Sequence, residues 1–376
     1  MSLLPSKLLS ATLPWELAPD LPWQVLTNPL AKWADQPTFV IGEYTFIALA
    51  LLALWHARRS GRAHVLAWLA ALVAGTSNDV IFMALPLVDN FWQAQATVML
   101  TPRLPLYIPC VYVCFMYLPT VAVWRLRMPV FGAGLLAGLV AIAFYAPYDI
   151  VGAKFLWWTW HDTDLPIATR LFGVPVGSSL WVITFVATFY WLLTSVVSRD
   201  REVSNTTFLK GFLLLATLTS LLMVLQMTVL QQLDGGAPGY AALITAVMVY
   251  ALGAAWGLRT AAPEAPSPQG RPLLAGMACY FTVMVFLIMA FDPATHRSTS
   301  LHQTVGECYV EATDITGAVR YEFLCLDDFD EDFGFDCLAI PPSEGQGWYT
   351  ACGRAHTDRS AWIAGPFATV LLAAIF

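Results

Sequence analysis

Lysine is almost missing from this chain, and charge of any kind is scarce. Lys7, Lys32, Lys154 and Lys210 are the only lysines among 376 residues, and Asp, Glu, Lys and Arg together make up 12%. Soluble domains carry roughly a quarter charged residues, so an ordinary water-solvated globule is excluded. No lysine follows Lys210, which removes a retinal Schiff base from the last apolar runs. The six histidines form no mid-run pair to hold haem and no cluster of the kind a membrane di-iron centre uses. Walker A, GxSxG and HExxH patterns are absent, so nucleotide-driven transport and the common hydrolase chemistries find no support. The first thirty residues lack the basic, apolar and cleavage regions of a secretory signal, and no cleavable leader is expected.

Long apolar runs are plentiful. The chain is 58% hydrophobic with mean hydropathy +0.62. A helix rises about 1.5 Å per residue and the hydrocarbon core is about 30 Å thick, so some 18 or more apolar residues read as one span. Such runs lie near 38–57, 65–86, 104–124, 129–148, 178–198, 208–231, 240–258 and 272–291, with the start of a last helix at 361–376. The expected fold is an all-α polytopic helical bundle of eight or nine spans with a small, partly β loop domain. Four segments follow: 1–37 before the bundle, the bundle over 38–291, a loop over 292–360, and the last helix. The connections holding Arg58, Arg59 and Arg62, then Arg125 and Arg127, then Arg199, Arg201 and Lys210, then Arg259 and Arg271, alternate with basic-poor ones. The positive-inside rule puts those four in the cytoplasm, and the N-terminus and the 292–360 loop outside or in a lumen. Pro5, Pro14, Pro19, Pro22 and Pro29 suggest an irregular N-terminal segment anchored at the interface by Trp15, Trp23 and Trp33.

The loop is chemically distinct. Between Asp292 and Ser360 stand thirteen acids and four arginines, a net of −9 against −7 for the whole chain. Cys308, Cys325, Cys337 and Cys352 all lie there, an even set that reads as two disulfides. Of three open connectivities, the nested pairing of Cys308 with Cys352 and Cys325 with Cys337 is the expectation. Alternation in YVEATDITGAVRYEFLCL predicts two strands joined near Thr316–Gly317. Asp328, Asp330 and Asp332 alternate like the start of a calcium loop, but Phe333 replaces its glycine and Ala339 its bidentate glutamate. The stretch therefore reads as a solvated acidic hairpin with calcium as the alternative; no cofactor and no metal are expected. His161 beside Asp162 and Asp164 offers three ligand types within four residues, poor geometry for a metal.

Charged groups in the apolar runs need a reason, because burying them beside hydrocarbon is expensive. Glu43 falls near the start of the first run, Asp79 with Asn78 near the end of the second, Arg103 at the start of the third and Asp149 at the end of the fourth, so all gather toward one leaflet. Arg103, Tyr107, Cys110, Cys114 and Tyr117 recur at helical spacing and share one face. Trp157, Trp158 and Trp160 read either as an aromatic belt or as the wall of a pocket on a continued fourth helix. Gly134 and Gly138 have the spacing of a close helix contact.

Asp149, the Trp157–Trp160 cluster and Phe172-Gly173-Val174-Pro175 followed by Trp181 resemble a segment of the carotenoid-biosynthesis membrane hydratases, over about a tenth of the chain. Val176-Gly177-Ser178 and Leu180-Trp181 depart from that family's pattern, and the acidic loop has no counterpart in it. The whole chain looks more like an uncharacterised family of polytopic membrane proteins. Two functions follow as expectations. One is a binding protein for transport or assembly, with an outward polar pocket in which Arg103, Tyr107, Trp157, Trp160 and Arg170 hold a lipid, isoprenoid or small anion. The other, implied by the hydratase resemblance, is acid-catalysed modification of an isoprenoid, with Asp149 or Asp79 as the acid and Glu43 orienting water. Membrane lipids are the expected partners in both; nucleic acid is not.

Overall fold

A computed structural model describes residues 23–85, 90–161, 164–197, 202–265, 267–315, 317–327, 333–355 and 357–373. The expectations placed on Trp15, Asp162, Thr316 and the calcium-like Asp328, Asp330 and Asp332 lie outside the described residues. The helices are α1 (Pro29–Asp35), α2 (Pro37–Ser60), α3 (Arg62–Ala84), α4 (Tyr107–Trp124), α5 (Val130–Lys154), the single turn α6 (Leu165–Ala168), α7 (Val176–Val196), α8 (Asn205–Gln231), α9 (Tyr240–Leu258), α10 (Gly270–Ala290) and α11 (Arg359–Ala373). Among the described residues eight of them, α2–α5 and α7–α10, are long and apolar enough to cross a membrane.

Apolar on every side, α4 takes the centre, as such a helix must. Only Cys110 and Ala122 in it are not fully buried, and α2, α3, α5 and α7 pack around it. The helical face from Tyr107 to Tyr117 is therefore not one wall of a single cavity, because its members meet different neighbours. Tyr107 donates to Gln93 at 3.0 Å, Cys114 faces the Phe46 carbonyl, and Tyr117 bonds to His56 at 2.8 Å. The predicted glycine contact in α5 is present. A Cβ at Gly138 would stand 2.4 Å from the Ile183 carbonyl oxygen and one at Gly134 would enter the Trp191 indole, so both glycines let α7 approach.

The fourth span does not run on through the tryptophans. α5 stops at Lys154, Leu156 takes a left-handed φ of 57°, and Trp158–Trp160 becomes strand β2, antiparallel to β1 (Phe91–Gln93) with Phe91 opposite Trp160. Gln36 holds this break by donating to the Phe155 and Leu156 carbonyls at 3.1 and 2.8 Å. The shared face of Asp149 and Trp160 on one continued helix is thereby corrected. Trp157 and Trp158 are buried, so they form no aromatic belt, and Trp23 likewise joins the core. Strands β3 (Arg170–Leu171) and β4 (Val174–Pro175) make a tight hairpin before α7.

Beyond α10 the chain builds the expected cap. Strands β5 (Arg297–Leu301), β8 (Phe333–Gly334) and β9 (Trp348–Gly353) form a sheet in the order β5-β9-β8, and β6 (Glu311–Thr313) and β7 (Val319–Tyr321) form the predicted hairpin, turning at Gly317 with φ 85°. The disulfides are sequential, Cys308–Cys325 and Cys337–Cys352, which corrects the nested expectation. Hairpin geometry is the reason. Cys308 and Cys325 flank β6–β7 and are brought level with Cα atoms 4.6 Å apart, while the pairing of Gly334 with Cys352 carries Cys337 onto β9. Replacing Cys337 and Cys352 together by serine should remove about 3 kcal/mol of cap stability, as expected for a loop of this length. Proteolysis of the cap at rising denaturant measures it, with the Cys308–Cys325 hairpin as internal control.

Candidate functional site

Helix alternation puts the start of α2, the end of α3, the start of α4, the end of α5 and the start of α7 at one end of the bundle. Glu43, Asp79, Asp149 and Tyr107 are thus gathered under the β1–β2 pair. All three carboxylates are buried, Glu43 and Asp149 to 1% exposure. Each has a distinct partner.

Glu43 accepts from the backbone amides of Thr97 and Val98, at 3.1 and 3.3 Å. These amides belong to a non-helical segment, 94–99, whose Ala94, Ala96, Thr97 and Met99 are buried. Irregular backbone inside a membrane bundle must find its hydrogen bonds within the protein, and Glu43 supplies two of them. Asp79 accepts from the Tyr112 hydroxyl at 2.8 Å through Oδ1, while its Oδ2 and the Asn78 Oδ1 are buried without a hydrogen-bond partner. Asp149 accepts from Ser178 at 2.5 Å, tying α5 to the first turn of α7. Aromatic rings close around it: Tyr145 stands edge-on to Tyr148 and Trp181, and Tyr148 packs at a tilt on Trp157 and Trp158.

The two arginines expected to take an anion both donate to backbone carbonyls. Arg103 donates to the Met83 and Phe91 carbonyls, both at 3.0 Å, lies 5.9 Å from the Trp92 ring, and is within electrostatic reach of Asp79. Arg170 donates to the Ile167 and Gly173 carbonyls at 3.2 and 3.1 Å, pinning the β3–β4 turn. Trp157 donates to Thr38 at 3.2 Å, and the half-buried Trp160 packs on Phe91. The structure brings the carboxylates, Tyr107 and Trp157 to one end of the bundle, but Arg170 serves its own hairpin. Asp164, weighed as a metal ligand, is paired with Arg320. Among the described residues no three His, Cys, Asp or Glu side chains are grouped to hold a metal.

A cavity lies elsewhere. About 620 Å³ opens sideways between α7, α8 and α9, walled by Trp191, Leu192, Leu222, Leu225, Val229 and Leu230, with Thr188, Gln226 and Tyr250 at its polar corner. Its cause is in α8. The buried residues of that helix are Gly211, Leu215, Thr219 and Met223, a four-residue stripe that ends there, so beyond Met223 the helix no longer seats fully on α7. Gln226 donates to Thr188 at 2.5 Å and accepts from Tyr250 at 3.0 Å, so the polar atoms satisfy one another and present an apolar wall. Sequence reasoning missed this groove; a lone glutamine in the run LLMVLQMTVL was the available signal.

A central helix ringed by apolar helices, a buried acid layer at one end and a disulfide-stapled cap define a mostly helical bundle in which, among the described residues, eight helices are long and apolar enough to cross a membrane. The chain belongs to the family described as a domain of unknown function, DUF7802, whose match covers residues 22–376. No curated protein and no solved structure matches the chain. No likeness to the carotenoid hydratases is shown.

Proposed function

We propose that this protein binds a long-chain lipid, acyl or isoprenoid, in the plane of the membrane, with the chain lying in the lateral groove between α7, α8 and α9. The groove carries the reading: about 620 Å³, inside the range of small-molecule sites, opening through apolar walls on helices that face hydrocarbon. The outward polar pocket read from the sequence gives way to this site, because Arg103 and Arg170 are engaged by carbonyls and the carboxylates by amides and hydroxyls. Acid chemistry at Asp149 would need an opening, since that carboxylate is sealed by rings at 1% exposure.

The cap belongs on the extracytoplasmic side in this reading, as its two disulfides and the arginine-rich opposite connections favour. Membrane-impermeant thiol reagents should label the cap of intact cells only after reductant is added. Labelling from the cytoplasmic face alone reverses the topology.

Binding is tested with the purified protein in nanodiscs and a diazirine-bearing long-chain lipid. Photolabel should concentrate on peptides of α7 and α8 around Thr188–Ser195 and Leu222–Leu230. Leu225→Trp, which fills the groove, should lower that labelling at least fivefold while leaving the protein monodisperse. Label spread evenly over α8, α9 and α10, unchanged by Leu225→Trp, would reduce the groove to ordinary lipid contact.

A further inference from the structure

The Lys32–Gln36 pair and the His56–Tyr117–Ser60 cluster are polar contacts inside the bundle that satisfy one another. The seam between cap and bundle carries more. Strand β5 is bracketed by two histidines, His296 just before it and His302 just after it, both buried. Each bonds to a threonine of the membrane domain through one ring nitrogen and to a backbone carbonyl four residues earlier through the other. His296 Nδ1 lies 3.0 Å from the Asp292 carbonyl and its Nε2 3.0 Å from Thr38 Oγ1 at the start of α2. His302 Nε2 lies 3.0 Å from the Ser298 carbonyl and its Nδ1 3.2 Å from Thr159 Oγ1 in β2.

A carbonyl oxygen only accepts, so the nitrogen facing it carries the hydrogen. Burial holds both rings neutral, and the other nitrogen of each then accepts from its threonine. Thr38 is itself fixed, since its oxygen takes the Trp157 indole hydrogen. A second proton on either ring would set an N–H against the hydroxyl hydrogen that now points at it. The bond across the seam would be broken or reversed, and a cation left in a dry site.

We propose that His296 and His302 are paired acid-sensitive latches that hold strand β5, and with it the β5-β9-β8 sheet, on the membrane domain, and that acidification releases this sheet.

The surroundings agree. His296 packs on the Phe155 and Phe291 rings, and His302 on those of Tyr349 and Phe333, so no charged side chain from β8, β9, the 155–156 turn or the end of α10 faces them. Among the described residues, two charged groups act on the pair. Asp292 favours a charged His296, while Lys32 of α1 opposes a charge on both rings. Lys32 is lowered by burial to about 7, with Glu43 and Asp35 opposing, so it gains its own proton first on acidification. Burial holds both histidines down at about 4. An unfolded or released histidine titrates near 6.5. Depressed folded values mean that the latched state is fully favoured above about pH 6.5 and loses its advantage as pH falls from there toward 4.

Hydrogen–deuterium exchange of the full-length protein in nanodiscs, expressed as protection factors so that intrinsic pH effects cancel, tests the latch. Protection of residues 297–301 should fall at least tenfold between pH 7 and pH 4.5, recover on neutralisation, and leave α4 unchanged. In the double variant His296→Gln/His302→Gln, which has no second proton to take, the change should be under twofold. Thr159→Val keeps both histidines but removes the donor that favours neutral His302, and should move release to higher pH. Unchanged protection of β5 down to pH 4.5, equal loss across α4, a double variant that follows the wild type, or a release pH unmoved by Thr159→Val would each overturn the proposal.

Discussion

Arg320→Ala should detach the β6–β7 hairpin and lower cap stability by about 3–5 kcal/mol, the range for removing one partner of a buried ion pair. Arg320 lies in β7, buried, and spans two acids: its Nε donates to Asp314 of its own hairpin at 2.8 Å and its Nη1 to Asp164 before α6. Taking away the guanidinium strands two carboxylates out of water, which is worse than never having built the pair. Arg320→Lys should recover little of the loss, because an ammonium is a point charge and cannot direct two donors along a planar fork. Chemical unfolding monitored by cap proteolysis gives the number. A loss below about 1 kcal/mol would show that the triad is solvated and contributes as a surface bridge does.

Trp157→Ala should be comparably severe, at about 3–5 kcal/mol, since it empties a fully buried indole site. The indole stands edge-on to Phe39, packs on Tyr148 and lies against Gly42, where an added Cβ would come within 1.9 Å of its ring. The same contact makes Gly42→Ala destabilising by about 1–3 kcal/mol through overpacking. A double-mutant cycle separates the two effects. Trp157→Phe removes the ring atoms that Gly42 faces, so Gly42→Ala should be far milder in that background. Additive losses in the cycle, read from thermal unfolding in detergent, would mean that the contact is relaxed by backbone movement.

Spans and cap were legible because hydrocarbon thickness and strand alternation impose periods that a sequence must display. The run predicted at 104–124 is α4 from Tyr107 to Trp124, and the strands predicted around Thr316–Gly317 are β6 and β7. Partners were not legible, because the contacts that decide them are long-range. Glu43, Asp79 and Asp149 were rightly singled out as buried acids at one end of the bundle. Nothing local tells that Glu43 would face the amides of Thr97 and Val98, 54 and 55 residues away. The tryptophan segment misled for a related reason. Its apolar character suits a continued helix, and the break at Leu156 is held by Gln36, 120 residues earlier. The groove was hard to read because it arises where the α8 stripe stops, an absence of packing whose one trace in the sequence is Gln226 in an otherwise apolar run.

The order of the disulfides bears on how the cap is made. Each bridge closes a local loop, its cysteines 17 and 15 positions apart in sequence, and the first is complete in sequence before Cys337 has been synthesised. A chain emerging from its amino end can therefore oxidise Cys308 with Cys325 as soon as the hairpin appears, and the next two cysteines then have only each other. The direction of synthesis favours this pairing. Neither bridge joins one half of the cap to the other, so attachment to the bundle rests on non-covalent contacts that can open and re-form without any change of redox state.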